Sequence, residues 1–512
     1  MAKLNVGWSE ISITPDKRIS LAGQFAERIS EYVEKPLTAT AMAVECGGDQ
    51  MVICSTDLVG VAYNLKNAVQ DALRDNKEGL DPDKTIICAI HTHTGPVYPR
   101  GQLSNRTDSA SNVQLLKGYL APGANYVPAV NADAPDIAKP QEVLDLLIER
   151  LTKVILDAWK ARKPAKFVNA FDRAVVGMCR RVDYSDETAQ MWGDANTAVF
   201  TEMEGGNDSG VELMYVFDEN NKLTGVVPNL ACPAQCVQHR LFVSPDFWGE
   251  TKVLIREKLG QDIYMLPLCG PAGDQCPVDL VRWVNPETDV HDPNLKRNNP
   301  PVRKADPSMF DIAGMKKAGK RVANAILDTY EELDLSEAQE DIKFEHHVHN
   351  MQLPLRRATL SEKIDAEKAI KDYLREHPGD VDFNDAANLQ VKLGIIKRMR
   401  VQEKMETLDT DVHIIRMGSV AFASNPFELF LDYGNQIKAR QLCEQSFLIQ
   451  LANGTEGYLP TKKAEDHGHY SAFIASGQVG HEGGDLLVRE TLKDINSMFK
   501  DDYKVYKYAD EE

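Results

Sequence analysis

The sequence predicts an α/β protein: a mixed β-sheet core flanked by helices, in a single large domain over residues 1–500. Two observations carry that prediction. Apolar, β-branched runs such as residues 51–58 and 85–90 alternate with stretches of helical period, the order expected of strands covered by helices. Several apolar runs also end abruptly in polar clusters, and the ends of buried strands are where α/β folds keep their chemistry.

Taken in order, residues 4–13, 37–46 and 51–58 read as strands, the third running from Val52, Ile53 and Cys54 into Ser55, Thr56 and Asp57. A helix is expected over 64–74, with Ala68, Val69 and Leu73 on one stripe. The next strand opens the segment 85–96, Thr-Ile-Ile-Cys-Ala-Ile-His-Thr-His-Thr-Gly-Pro. If strand geometry ran on through His91 and His93, both rings would leave one face, because alternate residues share a side. Residues 101–139 have no period and are rich in Ser, Asn, Ala, Pro and Gly, so they read as a lid. Tyr98, Arg100, Asn105, Arg106 and Tyr126 would suit that lid to a small polar ligand.

A clear amphipathic helix is expected over 142–162, carried by Leu147, Leu151, Val154, Ile155 and Ala158. Strands and turns follow over 165–227, and 278–307 is a second irregular stretch able to pair with the first as a pocket wall. Residues 313–333 read as a helix. The charged runs 361–376 and 386–405 read as a solvated helical hairpin, so 361–405 is an excursion from the core. A strand pair over 412–423 leads through Pro426 into a helix past Gln436, and 501–512 is an acidic tail.

Composition narrows the function. With 43% hydrophobic and 26% charged residues the chain is not disordered, and no apolar run approaches the ~20 residues of a membrane span. The start lacks the apolar core of a secretion signal, and nine cysteines in apolar contexts fit reduced thiols, so a cytoplasmic location is expected. A net charge of -19 argues against nucleic acid or an anionic membrane as partner, leaving a small-molecule substrate. Nothing in the sequence indicates an oligomeric state.

The common nucleophile-elbow, phosphate-loop, dinucleotide and metalloprotease signatures are missing. In their place stands an ordered series of polar clusters. It comprises His91-Thr92-His93-Thr94-Gly95-Pro96, Cys179-Arg180-Arg181, Asn229 to Pro233, Ser244-Pro245-Asp246, Gly273-Asp274-Gln275-Cys276-Pro277, Pro426-Phe427-Glu428, and Gly457-Tyr458 with Tyr470 and Glu482-Gly483-Gly484 beyond. Alone, His91 and His93 fit a hydrogen-bonded strand end as well as a metal or acid–base site.

In its order and over nearly the whole chain, the series resembles the neutral/alkaline ceramidase family, catalytic domain only. The resemblance implies a hydrolase with zinc as cofactor, His91, Glu428 and Tyr458 as metal ligands, and His93 and Tyr470 beside the metal polarising the scissile carbonyl. It also implies that Arg180 holds the substrate's polar end; Asp246 and Gln275, from the same series of polar clusters, are expected as further binding residues. A zinc ion in such a site generates a nucleophile at neutral pH.

Two departures from the family matter. Pro233 stands where the family has its second histidine ligand, with Cys232, Gln235, Cys236 and His239 as candidate substitutes. Cys276 stands where the family has its serine, beside Asp274, and a thiol is the better nucleophile. With no apolar, membrane-facing patch, a sphingolipid is not the expected substrate. The leading expectation is a cytoplasmic hydrolase cleaving an amide, ester or glycosidic bond of a small soluble compound. The alternatives are a metal-independent hydrolase with Cys276 as nucleophile and His93 or Asp274 as partner, and a binding protein that lost catalysis with the ligand at Pro233.

Overall fold

Alternation along the strands shows how the core is built. In β3 (Asp49–Thr56), Met51 and Ile53 face one cluster while Val52 and Cys54 face another, and all four are fully buried. A strand buried on both sides must be covered on both sides. The computed structural model, which describes residues 1–99, 109–128, 132, 134–284, 304–306 and 310–502, shows what covers it.

The main sheet has nine strands: β1 (Asn5–Ser12), β2 (Thr38–Cys46), β3, β4 (Thr85–Ala89), β5 (Lys163–Arg173), β6 (Gly210–Asp218), β7 (Leu223–Leu230), β8 (Tyr264–Met265) and β9 (Leu268–Cys269). Their order is β8-β7-β6-β5-β1-β2-β3-β4, with β9 also on β7. Pairing is antiparallel except for β3 with β4 and β7 with β8 and β9, so the sheet is mixed.

A second sheet joins β10 (Phe344–Pro354), β11 (Thr407–Met417), β12 (Val420–Ser424) and β14 (Gln445–Ile449). Two short strands, β13 (Glu428–Leu429) and β15 (Tyr458–Leu459), pair in parallel beside it. The two large sheets stack face to face. Met42, Ile53, Met214 and Val216 of the first share one buried cluster with Ile415, Phe422 and Phe447 of the second.

Helices close the outer faces. On the main sheet lie α1 (Tyr63–Arg74) and α3 (Pro140–Lys160), and further along it α4 (Phe247–Leu259) and α5 (Asp311–Glu331). On the second sheet lie α9 (Leu431–Arg440) and α11 (His481–Phe499). The molecule is one large α/β domain of four layers, helices on sheet on sheet on helices. The expected sheet core is thus two stacked sheets. Alternation within a strand reveals two buried faces without saying whether the second is covered by helices or by another sheet.

The excursion contains three helices, α6 (Leu360–Glu376), α7 (Phe383–Asn388) and α8 (Gln390–Gln402). It is not a solvated hairpin. Ile370, Leu393 and Ile396 pack against Leu116 of α2 (Ser109–Lys117) and against Ile474. Part of the stretch expected to be an unstructured lid is therefore a helix, sandwiched under the excursion. Arg100, Asn105, Arg106, residues 285–303 and 307 of the second irregular stretch, and 503–512 of the tail lie outside the described residues. Among the described residues, no helix is long and apolar enough to cross a membrane.

Candidate active site

The cavity opens beyond the carboxyl ends of the parallel pair β3 and β4, the position α/β sheets favour for ligands. Leu58 and Val59 follow β3, and His91 and His93 follow β4. The pairing of β4 stops at Ala89, and His91 takes a left-handed backbone, φ 68°. Its ring therefore meets that of His93 through a turn, not through strand alternation. A bulky residue with positive φ costs about 1–3 kcal/mol and persists where the surroundings impose it. Here the amide of His91 donates to Leu58 O at 3.0 Å, and its ring bonds Val59 O at 2.7 Å.

The two rings lie at 69° with Nε2 atoms 3.1 Å apart, and Glu428 Oε2 is 3.4 Å from Nε2 of His91. Both histidines and Glu428 are buried. Glu428 and Tyr458 arrive together, being directly opposed across the β13–β15 pair. The Tyr458 ring meets Tyr470 edge-on at 5.4 Å, and Phe25 packs on the far side of Tyr470 at 5.5 Å. Gly23 is required above His93. Its φ is +94°, and a side chain there would stand 2.4 Å from the imidazole.

Hydrogen-bond polarity fixes what these rings present. Val59 O can only accept, so His91 carries its proton on Nδ1 and turns the Nε2 lone pair inward. Arg180 can only donate, and its Nη1 lies 3.1 Å from Gln235 Oε1. The amide end of Gln235 is thereby left to donate to His93 Nε2 at 2.8 Å. The Nε2 lone pair of His91 then faces the Glu428 carboxylate at 3.4 Å, an arrangement that a positive charge between them would stabilise, while the Nε2 lone pair of His93 accepts from Gln235. Donors on one tetrahedral zinc stand roughly 3.3 Å apart, as bond lengths of about 2.0–2.1 Å require. The 3.4 Å between His91 Nε2 and Glu428 Oε2 matches that spacing. His91 and Glu428 fit as two donors to a zinc ion, and Tyr458, opposite Glu428 across the β13–β15 pair, is the candidate third.

Arg180 is buried behind this group rather than in the cavity. Its Nη2 donates to Gly273 O at 2.9 Å and to the Tyr458 hydroxyl at 3.2 Å. Burial pushes the Tyr458 phenol well above its ordinary value, with Glu428 and Tyr470 adding to the rise and Arg180 opposing it. Arg181, fully buried and paired with Glu204, bonds the carbonyls of Tyr470 and Gly468 at 2.8 and 2.7 Å and so fixes the Tyr470 loop.

The cavity measures about 530 Å³, with His91, His93, Glu428, Tyr458 and Tyr470 among its lining residues. Its walls are largely apolar and aromatic, including Phe25, Tyr98, Tyr126 and Phe383. Phe383 comes from α7, so the excursion supplies part of the mouth. The lid composition had suggested a polar ligand, but Tyr98 and Tyr126 contribute ring surface to an apolar wall.

Five other expected site residues are not among the lining residues. Asp246 starts α4, taking the amides of Phe247 at 2.6 Å and Val237 at 2.9 Å. Asp274 accepts from the amide of Leu431 at 2.9 Å, at the start of α9. Burial raises each carboxyl to about 6. Gln275 donates to Gly206 O at 3.1 Å, and Arg180 stands behind Tyr458 as described. Cys276 is fully enclosed by Val182, Met191, Trp192 and Phe310, its thiol 3.5 Å from Val278 O, so the geometry offers no route for it as a nucleophile.

Of the substitutes around Pro233, Gln235 reaches His93. Cys232 and Cys236 are buried among apolar groups, and His239 stacks on Phe310 and faces Asp311 at 3.7 Å. Arg28, which binds the carbonyls of His93 and Ala22 at 2.7 Å each, had no sequence signal beyond being an arginine.

No protein-family model and no curated protein matches the sequence. Solved structures do. The chain is similar to neutral ceramidase from Pseudomonas aeruginosa, with a TM-score of 0.65 and 15% identity over 99% of this chain and 76% of that one. It is also similar to a ceramidase complexed with C2, with a TM-score of 0.62 and 13% identity over 99% of this chain and 77% of that one. The fold is ceramidase-like. At such identities the likeness concerns the fold.

Proposed function

We propose that the protein is a hydrolase of an amide or ester bond in a small substrate, with zinc held by His91, Glu428 and Tyr458. The observation that supports this most is the His91 Nε2 lone pair facing Glu428 at 3.4 Å, with His93 beside it, at the wall of the cavity. The ceramidase-like fold supports the reaction class. A volume of about 530 Å³ lies in the range of pockets that hold compact ligands. A glycosidic bond would call for a second carboxylate facing the first, and among the described lining residues the other acid is Glu27, exposed beside Ser20.

What zinc supplies in such a site is a nucleophile at neutral pH, because water beside it loses its proton near pH ~7. His93 Nε2, once it exchanges its hydrogen bond from Gln235 for the nucleophile, takes up a proton from it and returns that proton to the leaving group. The Tyr470 hydroxyl donates to the oxygen on which charge develops, and Arg180 behind Tyr458 favours that charge in a water-poor site. Gln235 keeps His93 in the required tautomer. The aromatic wall orients the substrate's apolar part and excludes water.

A cytoplasmic location belongs to the same proposal, supported by nine cysteines that are all buried free thiols. So does a small molecule as sole partner, with neither nucleic acid nor membrane, supported by the net charge of -19. The test is turnover of a panel of short N-acyl and O-acyl compounds. Hydrolysis by the unaltered chain that is lost in His91→Ala is expected.

A non-catalytic binding protein is the second reading, and it draws on Gln235 reaching the site from beside Pro233, where the family has an imidazole. Ligand-induced stabilisation with no turnover of any compound would establish it instead.

A further inference from the structure

A second His-x-His pair lies in β10, the edge strand of the four-stranded sheet. Strand periodicity puts Glu345, His347 and His349 on one face, and α11 crosses that face. From α11, Asp494 reaches both rings. His347 Nδ1 lies 3.0 and 3.1 Å from its two carboxylate oxygens, and His349 Nε2 lies 2.8 Å from one of them. The rings stand at 90°, and the three donor atoms all lie within 4.8 Å of one another. Behind His347, Nε2 faces the Glu345 carboxylate at 3.8 Å. A ligating histidine commonly turns its other nitrogen toward a carboxylate, which orients the ring and raises its basicity.

Charge separates this group from the other His–carboxylate cluster. Asp183, Glu204 and His467 also converge, but Lys463 holds Asp183 at 2.9 Å and Arg181 holds Glu204. That cluster already contains its cations. Among the described residues, no lysine or arginine pairs with Asp494, whose ion-pair partners are the two histidines. The histidine side chains are 40% and 43% exposed, so an ion can reach them from solvent.

We propose that His347, His349 and Asp494 form a site for a divalent transition-metal ion, separate from the cavity and joining β10 to α11. Two imidazoles and one carboxylate select zinc, copper or nickel over calcium or magnesium, which prefer all-oxygen shells. Three protein ligands leave a coordination position open to solvent. Because the donors come from elements far apart in sequence, the ion binds the folded chain and stabilises it by mass action.

The test is equilibrium dialysis against micromolar Zn²⁺, with thermal unfolding as second readout. The unaltered protein is expected to hold one zinc more than His349→Ala or Asp494→Asn, and zinc is expected to raise its Tm by more than theirs. Glu345→Gln keeps the site and weakens it by about 10–100-fold, the cost of losing such a supporting carboxylate. Turnover is unchanged in all three. Equal zinc counts across the series overturn the proposal. Should a variant fail to fold, Cu²⁺ added to the otherwise intact His91→Ala protein must show nitrogen hyperfine from two imidazoles in its electron paramagnetic resonance spectrum, and absence of that signal also overturns it.

Discussion

His91 and His93 follow a buried edge strand whose outer side is covered. Asn453 accepts from Ile87 N and donates to Thr85 O there. His347 and His349 lie within an exposed edge strand with one helix across it. The first pair has its tautomers set by groups with a single hydrogen-bonding polarity, Val59 O and Arg180 through Gln235. The second meets a carboxylate, Asp494, which accepts from either ring nitrogen and so does not by itself select a tautomer. The same three-residue pattern therefore gives a buried, tautomer-fixed pair in one place and a solvent-reachable pair in the other. What distinguishes them is the shell of groups around the rings.

That comparison can be broken most decisively by exchange of roles. His91→Ala and Glu428→Gln are expected to lower kcat/KM by about 10²–10⁴-fold, the usual contribution of a positioned acid–base or ligand group. His349→Ala should leave it unchanged. Equal losses in steady-state kinetics would erase the distinction between the two pairs.

Burial alone does not mark a catalytic group, and Asp274 sharpens that point. Its carboxyl is raised to about 6 by burial while it holds the start of α9. Its folded-state value lies above the unfolded one, so the stability it contributes is full below about pH 4 and is lost as pH rises through about 6. Asp274→Asn keeps the acceptor and removes the titration. Relative to the variant, the unaltered protein should lose on the order of 3 kcal/mol between pH 4 and pH 7.5, as a two-unit shift implies. Urea unfolding at the two pH values reads this, and parallel pH profiles would contradict it.

Gln235→Glu tests the polarity argument directly. A carboxylate beside Arg180 can only accept, so His93 must present a proton at Nε2. Turnover should fall by about 10–100-fold, the range for lost support of a site histidine. The ¹⁵N shifts of His93 should show the tautomer change while Tm moves little. Unchanged shifts would show that Gln235 does not set the ring. The smallest effect expected is that of Cys276→Ala, which costs about 1 kcal/mol of stability as an ordinary buried truncation. Activity should persist, and its loss would return the thiol to the mechanism.

Much of the fold was legible because its periods are strong. Expected helices at 64–74, 142–162 and 313–333 correspond to Tyr63–Arg74, Pro140–Lys160 and Asp311–Glu331. The strand pair expected over 412–423 lies within Thr407–Met417 and Val420–Ser424. The excursion misled because charge on the outer face of α6 hides the apolar stripe that packs on Leu116.

In the site, residues at the ends of short paired strands converge: His91, Glu428, Tyr458. Asp246 and Asp274 shared the look of a polar cluster after an apolar run, yet such clusters also begin helices, and one sequence does not separate the two uses. Gln235 was visible only as a neighbour of Pro233. An amide gives no signal of its own until Arg180 is seen to fix which end faces the histidine.

The most direct test of the central claim is hydrolysis of the best N-acyl or O-acyl substrate after chelation and stepwise return of zinc, in the unaltered chain and in His349→Ala. Activity lost on chelation and restored in both proteins by one zinc per chain is the predicted result. Hydrolysis that survives chelation, or that persists in His91→Ala, would contradict it.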